Sequence, residues 1–181
     1  MRQPDDGGGA SPLDEIASLL EPQIPGLRRY AWALLRDDET ADDLVQDTLE
    51  RAISRWHQRR QDGDLRAWLF AIQRNLFLNS LRQRRQRGQQ VGVETLDQVA
   101  APDGHADGSA GLKDILTGLD ALPEEQRSVL LLVGVEDLSY EQAARVLDVP
   151  IGTVMSRLSR ARERMRRFME GGRSAVLRRI K

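Results

Sequence analysis

Residues 139–165, SYEQAARVLDVPIGTVMSRLSRARERM, read as a short helix, a three-residue turn and a second helix loaded with arginine. Ser139 can accept a hydrogen bond from the first turn, and Gln142 three residues on can reach back, a capping box that starts the helix at Tyr140. Ala143, Ala144 and Leu147 give an inward face, small where another helix must approach closely. Asp148-Val149-Pro150 stops the run, and Pro150 suits the first turn of the next helix. The pair predicts a helix-turn-helix.

In the second helix Val154, Leu158, Ala161 and Met165 recur at helical spacing and form one inward stripe. Thr153, Ser156, Arg157, Arg160, Arg164 and Arg167 fall together on an adjacent face, hydroxyls first and guanidinium groups further along. That order suits a reader of the DNA major groove, where N-terminal residues reach base edges and arginines pair with guanine or hold phosphate. The competing reading is a solvated basic helix packed on a neighbour. The capped first helix and short turn favour DNA binding.

Charge is segregated along the chain. The formal net charge is only −1, yet residues 37–50 carry seven acids and no base, while residues 74–87 carry five arginines and no acid. Residues 94–125 turn acidic again, and arginine dominates beyond Ser139. With no cysteine there is no disulfide or thiolate site, and the isolated His57 and His105 make no metal cluster. No apolar run approaches a membrane span and the first residues lack a signal-peptide core, so the expectation is a cytoplasmic protein without membrane insertion. No cofactor-binding pattern appears: Gly7-Gly8-Gly9 has no preceding strand and no following Lys-Ser/Thr pair.

The whole chain predicts an all-α fold of two small helical domains. Residues 1–12 read as a disordered lead, 13–87 as the first domain, 88–111 as a flexible linker, 112–170 as the helix-turn-helix domain, and 171–181 as a basic tail after a break at Gly171-Gly172. Asp37 or Asp38 caps a helix running from Glu39 to about Trp56, with Val45, Leu49, Ala52 and Trp56 inward. Asp43, Gln46, Asp47 and Glu50 recur on another face as a carboxylate and amide ridge, beyond or at the edge of the helix dipole. A helix from Leu65 to about Arg87 follows, with Trp68, Leu69, Ile72 and Leu76 inward. Arg74, Asn75, Asn79 and Arg82 point outward, and Arg85 belongs to a terminal basic run whose charge exceeds what the dipole needs, so a phosphate-facing surface is expected. Further helices over 112–122 and 123–135 supply a floor for the helix-turn-helix.

DDLVQDTLERA at 42–52, LRAWLFAIQRNLFLNSLRQRRQR at 65–87, and the stretch from LPEEQRSVLLL to GTVMSRLSRARERMR at 122–166 together resemble a bacterial sigma factor of the extracytoplasmic-function (ECF) type. The resemblance covers nearly the whole chain. It implies an alternative sigma factor, without enzymatic activity of its own, that directs transcription initiation. It further implies docking on the clamp helices of core RNA polymerase through the ridge Asp43, Gln46, Asp47 and Glu50. The first domain would open and recognise the minus-ten element of promoter DNA through the 57–64 loop and Arg74, Asn75, Asn79, Arg82 and Arg85. Thr153, Ser156, Arg157, Arg160 and Arg164 would read the minus-thirty-five element, and an anti-sigma factor is an implied partner. Three residues depart from the family pattern: Asp148 where the turn usually has glycine, Met155 for a common lysine, and Asp47 for a glutamate.

One alternative is a stand-alone helix-turn-helix regulator of LuxR-like kind, which leaves the DDLVQD and AWLFAIQRN segments without a role. Another, a sigma-mimicking anti-anti-sigma protein, needs a receiver domain for which the sequence shows no strand-helix alternation. An enzyme fits least, since no nucleophile-base or metal constellation is visible.

Overall fold

The computed structural model describes residues 11–60, 63–88 and 109–179, with positions 85, 87, 88, 109, 110 and 171–179 described for the backbone alone. In chain order the helices are α1 (Pro12–Leu20), α2 (Ile24–Leu35), α3 (Asp38–Ser54), α4 (Leu65–Gly88), α5 (Ser109–Asp120), α6 (Glu124–Gly134), α7 (Tyr140–Leu147) and α8 (Ile151–Arg179), with 3-10 turns at Glu21–Gln23 and Trp56–Gln58. No strand occurs among the described residues. The expected lead and linker lie outside them, apart from Ser11 and Pro12, which open α1, Gly88, which ends α4, and residues 109–111, which begin α5.

Local chemistry sets the helix starts. Ser11 and Asp14 form a capping box on α1, and the Asp37 carboxylate accepts the Thr40 N–H at 2.8 Å to open α3. Ser139 and Gln142 make the expected reciprocal box on α7. At the other end of α7, Asp148 adopts φ 52° and ψ 51°, the left-handed position at which the family's turn usually has glycine.

Two bodies form. In the first, α2, α3 and α4 pack around Leu27, Tyr30, Leu69, Phe70 and Phe77, with the rings of Tyr30 and Phe70 edge to face at 5.4 Å. Gln73, fully buried in α4, donates to the Leu27 carbonyl at 2.9 Å, which satisfies its amide nitrogen inside the core. In the second, α5 to α8 enclose Val129, Leu132, Leu138, Ala143, Val146, Leu147, Val154, Leu158 and Ala161, so the stripe read from the sequence faces inward. Gly118 of α5 lets Met165 and Phe168 of α8 close in, because a Cβ there would lie 2.9 Å from the Phe168 ring.

The stop expected at Gly171-Gly172 is absent, and α8 continues to Arg179. Each helical glycine costs about 1 kcal/mol, but a helix already nucleated over five turns propagates one bond per residue through so small a penalty.

The bodies pack on each other, α4 against α7 and α2 against α6. The loop after α6 turns at Asp137, φ 52°, and delivers Glu136 to the first body. The Glu136 side chain has no exposure. Arg29 meets it through two bonds, Nε to Oε1 at 3.1 Å and Nη2 to Oε2 at 2.9 Å, and Arg66 reaches Oε2 at 3.1 Å and the Glu136 carbonyl at 2.7 Å. A buried carboxylate is tolerated only with partners of this kind, and the two guanidinium groups, with three bonds to the carboxylate, meet that demand. Around it, Arg36 bonds Asp120 at 3.2 Å and the Leu116 carbonyl at 3.3 Å, Arg74 faces Glu124 at 3.8 Å, and Asp64 meets Gln142 and Arg145.

Candidate functional site

The ridge on α3 lies where the sequence put it. Asp43, Gln46, Asp47 and Glu50 are all exposed, while Ala41, Leu44, Val45, Thr48 and Ala52 of the same helix are buried. Gln46 donates to Glu50 at 2.9 Å, which lines the side chains along the helix. Asp42 is engaged elsewhere, paired with Arg28 at 2.7 Å. Three exposed carboxylates and an amide on one rigid face present a negative surface suited to a basic partner.

On α4 the assigned residues divide. Asn75, Asn79 and Arg82 are exposed, and Arg82 reaches Asn79 at 3.5 Å, so a row of donors and acceptors faces solvent. Arg74, expected to point outward, is 9% exposed and held against Glu124 of α6. The periodicity of α4 marks the side that its own body covers, and the second body covers Arg74. Arg85 lies in α4, its side chain outside the described set.

Beside α4, residues 58–60 and 63–64 border a cleft of ≈ 540 Å³, lined among others by Arg59, Asp64, Ala67, Trp68 and, from the second body, Arg145. Trp56 and Trp68 meet edge to face at 6.2 Å, and the Arg59 guanidinium lies 4.8 Å over the Trp56 ring. Asp64 is the pivot of the loop. Its partial burial raises its pKa, but bonds from the Ala67 N–H and Gln142 and the charge of Arg145 together hold it below the ordinary carboxylate range.

On α8, Ser156, Arg160 and Arg164 are exposed and Thr153 is half-buried. Arg157 turns toward α6, where it pairs with Glu125 at 2.7 Å with its side chain 20% exposed. The open face near the start of α8 is therefore rotated from the one expected. It includes Met155, Ser159 and Arg162, each one residue after a stripe position, bordering a shallow depression of ≈ 470 Å³ with Tyr140. Helical periodicity offered both flanks of the stripe equally, and the choice depended on α6, which occupies one of them. Arg167 is bonded to Glu163 at 2.8 Å, and Arg166 pairs with the same carboxylate.

A capped helix-turn-helix under an arginine-bearing helix, coupled to a second helical body with an acidic ridge, defines a DNA-binding regulatory protein. Family models match both bodies, the Sigma2 domain of PhyR over residues 20–73 and Sigma-70 region 4 over residues 112–165. The chain is 37% identical over 155 residues to the ECF RNA polymerase sigma factor EcfG of Rhodopseudomonas palustris, covering 84% of this chain and 83% of the relative. It is 35% identical over 147 residues to the ECF sigma factor SigC of Mycobacterium tuberculosis, covering 80% of each. Among solved structures, it is similar to the sigma factor RpoE in the complex with the anti-sigma factor NepR from Bartonella quintana, with TM-score 0.78, 35% identity and coverage of 86% of this chain and 97% of that one. The chain belongs to the ECF RNA polymerase sigma factors.

Among the described residues no helix is long and apolar enough to cross a membrane, and no group of three potential metal ligands gathers.

Proposed function

We propose that this chain is an alternative sigma factor that binds core RNA polymerase in the cytoplasm and directs it to a dedicated set of promoters. The exposed ridge Asp43, Gln46, Asp47 and Glu50 docks on the polymerase clamp helices. Asn75, Asn79 and Arg82, with Arg74 and Arg85 of the same helix, face the minus-ten DNA. The cleft bordered by Arg59, Asp64 and Trp68 takes a base out of the stack, since Trp68 and Arg59 supply an aromatic face and a cation. The exposed start of α8 reads the minus-thirty-five element through Ser156, Arg160 and Arg164, with Thr153 at the edge of that face. Met155, Ser159 and Arg162 share in the reading, while Arg157 positions the helix through Glu125. An anti-sigma factor holds the protein inactive until a signal removes it.

The observation that carries this reading is the simultaneous presence, in one chain, of both sigma-type bodies. The test adds the purified protein to core polymerase on genomic DNA and sequences the 5′ ends of the transcripts. A shared pair of upstream motifs at the new start sites supports it. Specific operator binding without polymerase, and no new start sites, refutes it.

A further inference from the structure

We infer that the tip of α8 reads a methyl group: Met155, flanked by Ile151, packs on the C5-methyl of a thymine in the major groove and sets a preference for that base at one position of the upstream element. This rests on the assignment of α8 to the upstream element and names the base that its apolar residues take.

Two rows of side chains run along the open face of α8. Gly152, Ser156, Arg160 and Arg164 make one row, and Ile151, Met155, Ser159, Arg162 and Arg166 the other, all of them exposed. The cations of this face begin at Arg160, so its first two turns hold none. Ile151 is 41% exposed and Met155 52%, one turn apart on the same row. The core beneath takes the neighbouring stripe Val154, Leu158 and Ala161 instead. The Ser156 hydroxyl donates to the Thr153 carbonyl at 3.1 Å, which commits its proton and leaves it only acceptor capacity toward DNA. Gly152 carries no side chain, and a Cβ there would meet nothing within 4 Å, so a groove can approach this turn closely.

The major groove offers nitrogen, oxygen or amino groups at every base edge and one apolar group, the thymine methyl. An apolar side chain laid on the polar edges would strip water from donors and acceptors and return nothing. Against the methyl, the same side chain takes apolar surface out of water on both partners. Met155 suits the task because an unbranched, flexible thioether can adjust to the depth of the groove. Duplex DNA is the occupant that the surroundings specify, since exposed Arg160, Arg162 and Arg164 continue the same face and complement phosphate.

The test selects duplex sites from a random library with the full chain, once with core polymerase and once alone. Each thymine of the enriched upstream element, on either strand, is then replaced by deoxyuridine, which removes the methyl and keeps every hydrogen-bonding group. One such replacement should weaken binding of the unchanged protein about fourfold, the factor for one methyl group withdrawn from water. Met155→Ala should bind the thymine-bearing site more weakly by a similar factor and be indifferent to that uracil. A penalty that persists at full size in Met155→Ala overturns the inference, and so does the absence of a penalty at every thymine. A motif enriched by the chain alone, with nothing added by polymerase, refutes the sigma-factor reading while the uracil scan still decides the methyl contact. Enrichment of no site in either arm overturns both.

Discussion

Replacing Gln46 and Asp47 together by arginine separates docking from folding. The unchanged ridge carries three carboxylates, Asp43, Asp47 and Glu50, and the double variant retains two of them beside two cations, so its charge moves from −3 to 0. On the helix itself the change nearly cancels. The lost hydrogen bond from Gln46 to Glu50 is an exposed one-turn contact worth about 0.2–0.5 kcal/mol, and an arginine at 46 renews it with both Glu50 and Asp43. An arginine at 47 gains Asp43 one turn back and repels Arg51 one turn on. Neither position is buried, so stability should stay within about 0.5 kcal/mol of the parent. At a basic docking surface, like charges placed face to face cost several kcal/mol, and about 3–4 kcal/mol weakens binding roughly 10²- to 10³-fold. Affinity for core polymerase, measured by competition with labelled parent protein, should fall by that factor while the thermal midpoint holds. An unchanged affinity would show the ridge to be a solvated face only, and an unfolded variant would show that its side chains are structural.

Arg160→Ala should weaken promoter binding by about 1–3 kcal/mol, at one base position if it reads an edge and uniformly if it holds phosphate. Arg157→Ala should instead leave the promoter pattern intact and lower stability by no more than about 1 kcal/mol, since its partner Glu125 is 60% exposed; melting curves and binding to a promoter library distinguish the two. Burial pushes the Tyr30 phenol up to about 12, so the folded state holds that proton more tightly than the unfolded chain does. The associated stability is complete below about pH 10 and disappears as pH rises through about 12, a loss of roughly 3 kcal/mol in urea titrations that Tyr30→Phe should abolish.

What the sequence disclosed was local chemistry. The Ser139–Gln142 box, the Asp37 cap and the inward stripe of α8 each follow from spacings of a few residues within one helix, and each is present in the fold. The left-handed Asp148 matches what the resemblance implied, since it stands where the family's turn usually has glycine. What stayed hidden depends on a second body. Arg74 looks outward on a helical projection of α4 alone, yet it meets Glu124, 50 residues on. Arg157 was placed on the reading face because the pattern could not say which flank of α8 meets α6. Glu136 reads as an ordinary loop acid, and its partners lie 70 and 107 residues away, beyond any periodicity.

Those separations also set an order of events on the ribosome. The first body is held by contacts among neighbouring helices, so it can collapse as soon as α4 has emerged. Arg66 is translated 70 residues before Glu136, and at about 5–20 residues per second the seat between Arg29 and Arg66 stands empty for about 4–14 s. In the later part of that interval, once α4 is complete, the nascent chain displays its acidic ridge and its minus-ten helix together, before the second body exists to fold over either. A transcript cut short before the codon for Glu136 would leave a fragment in that condition permanently.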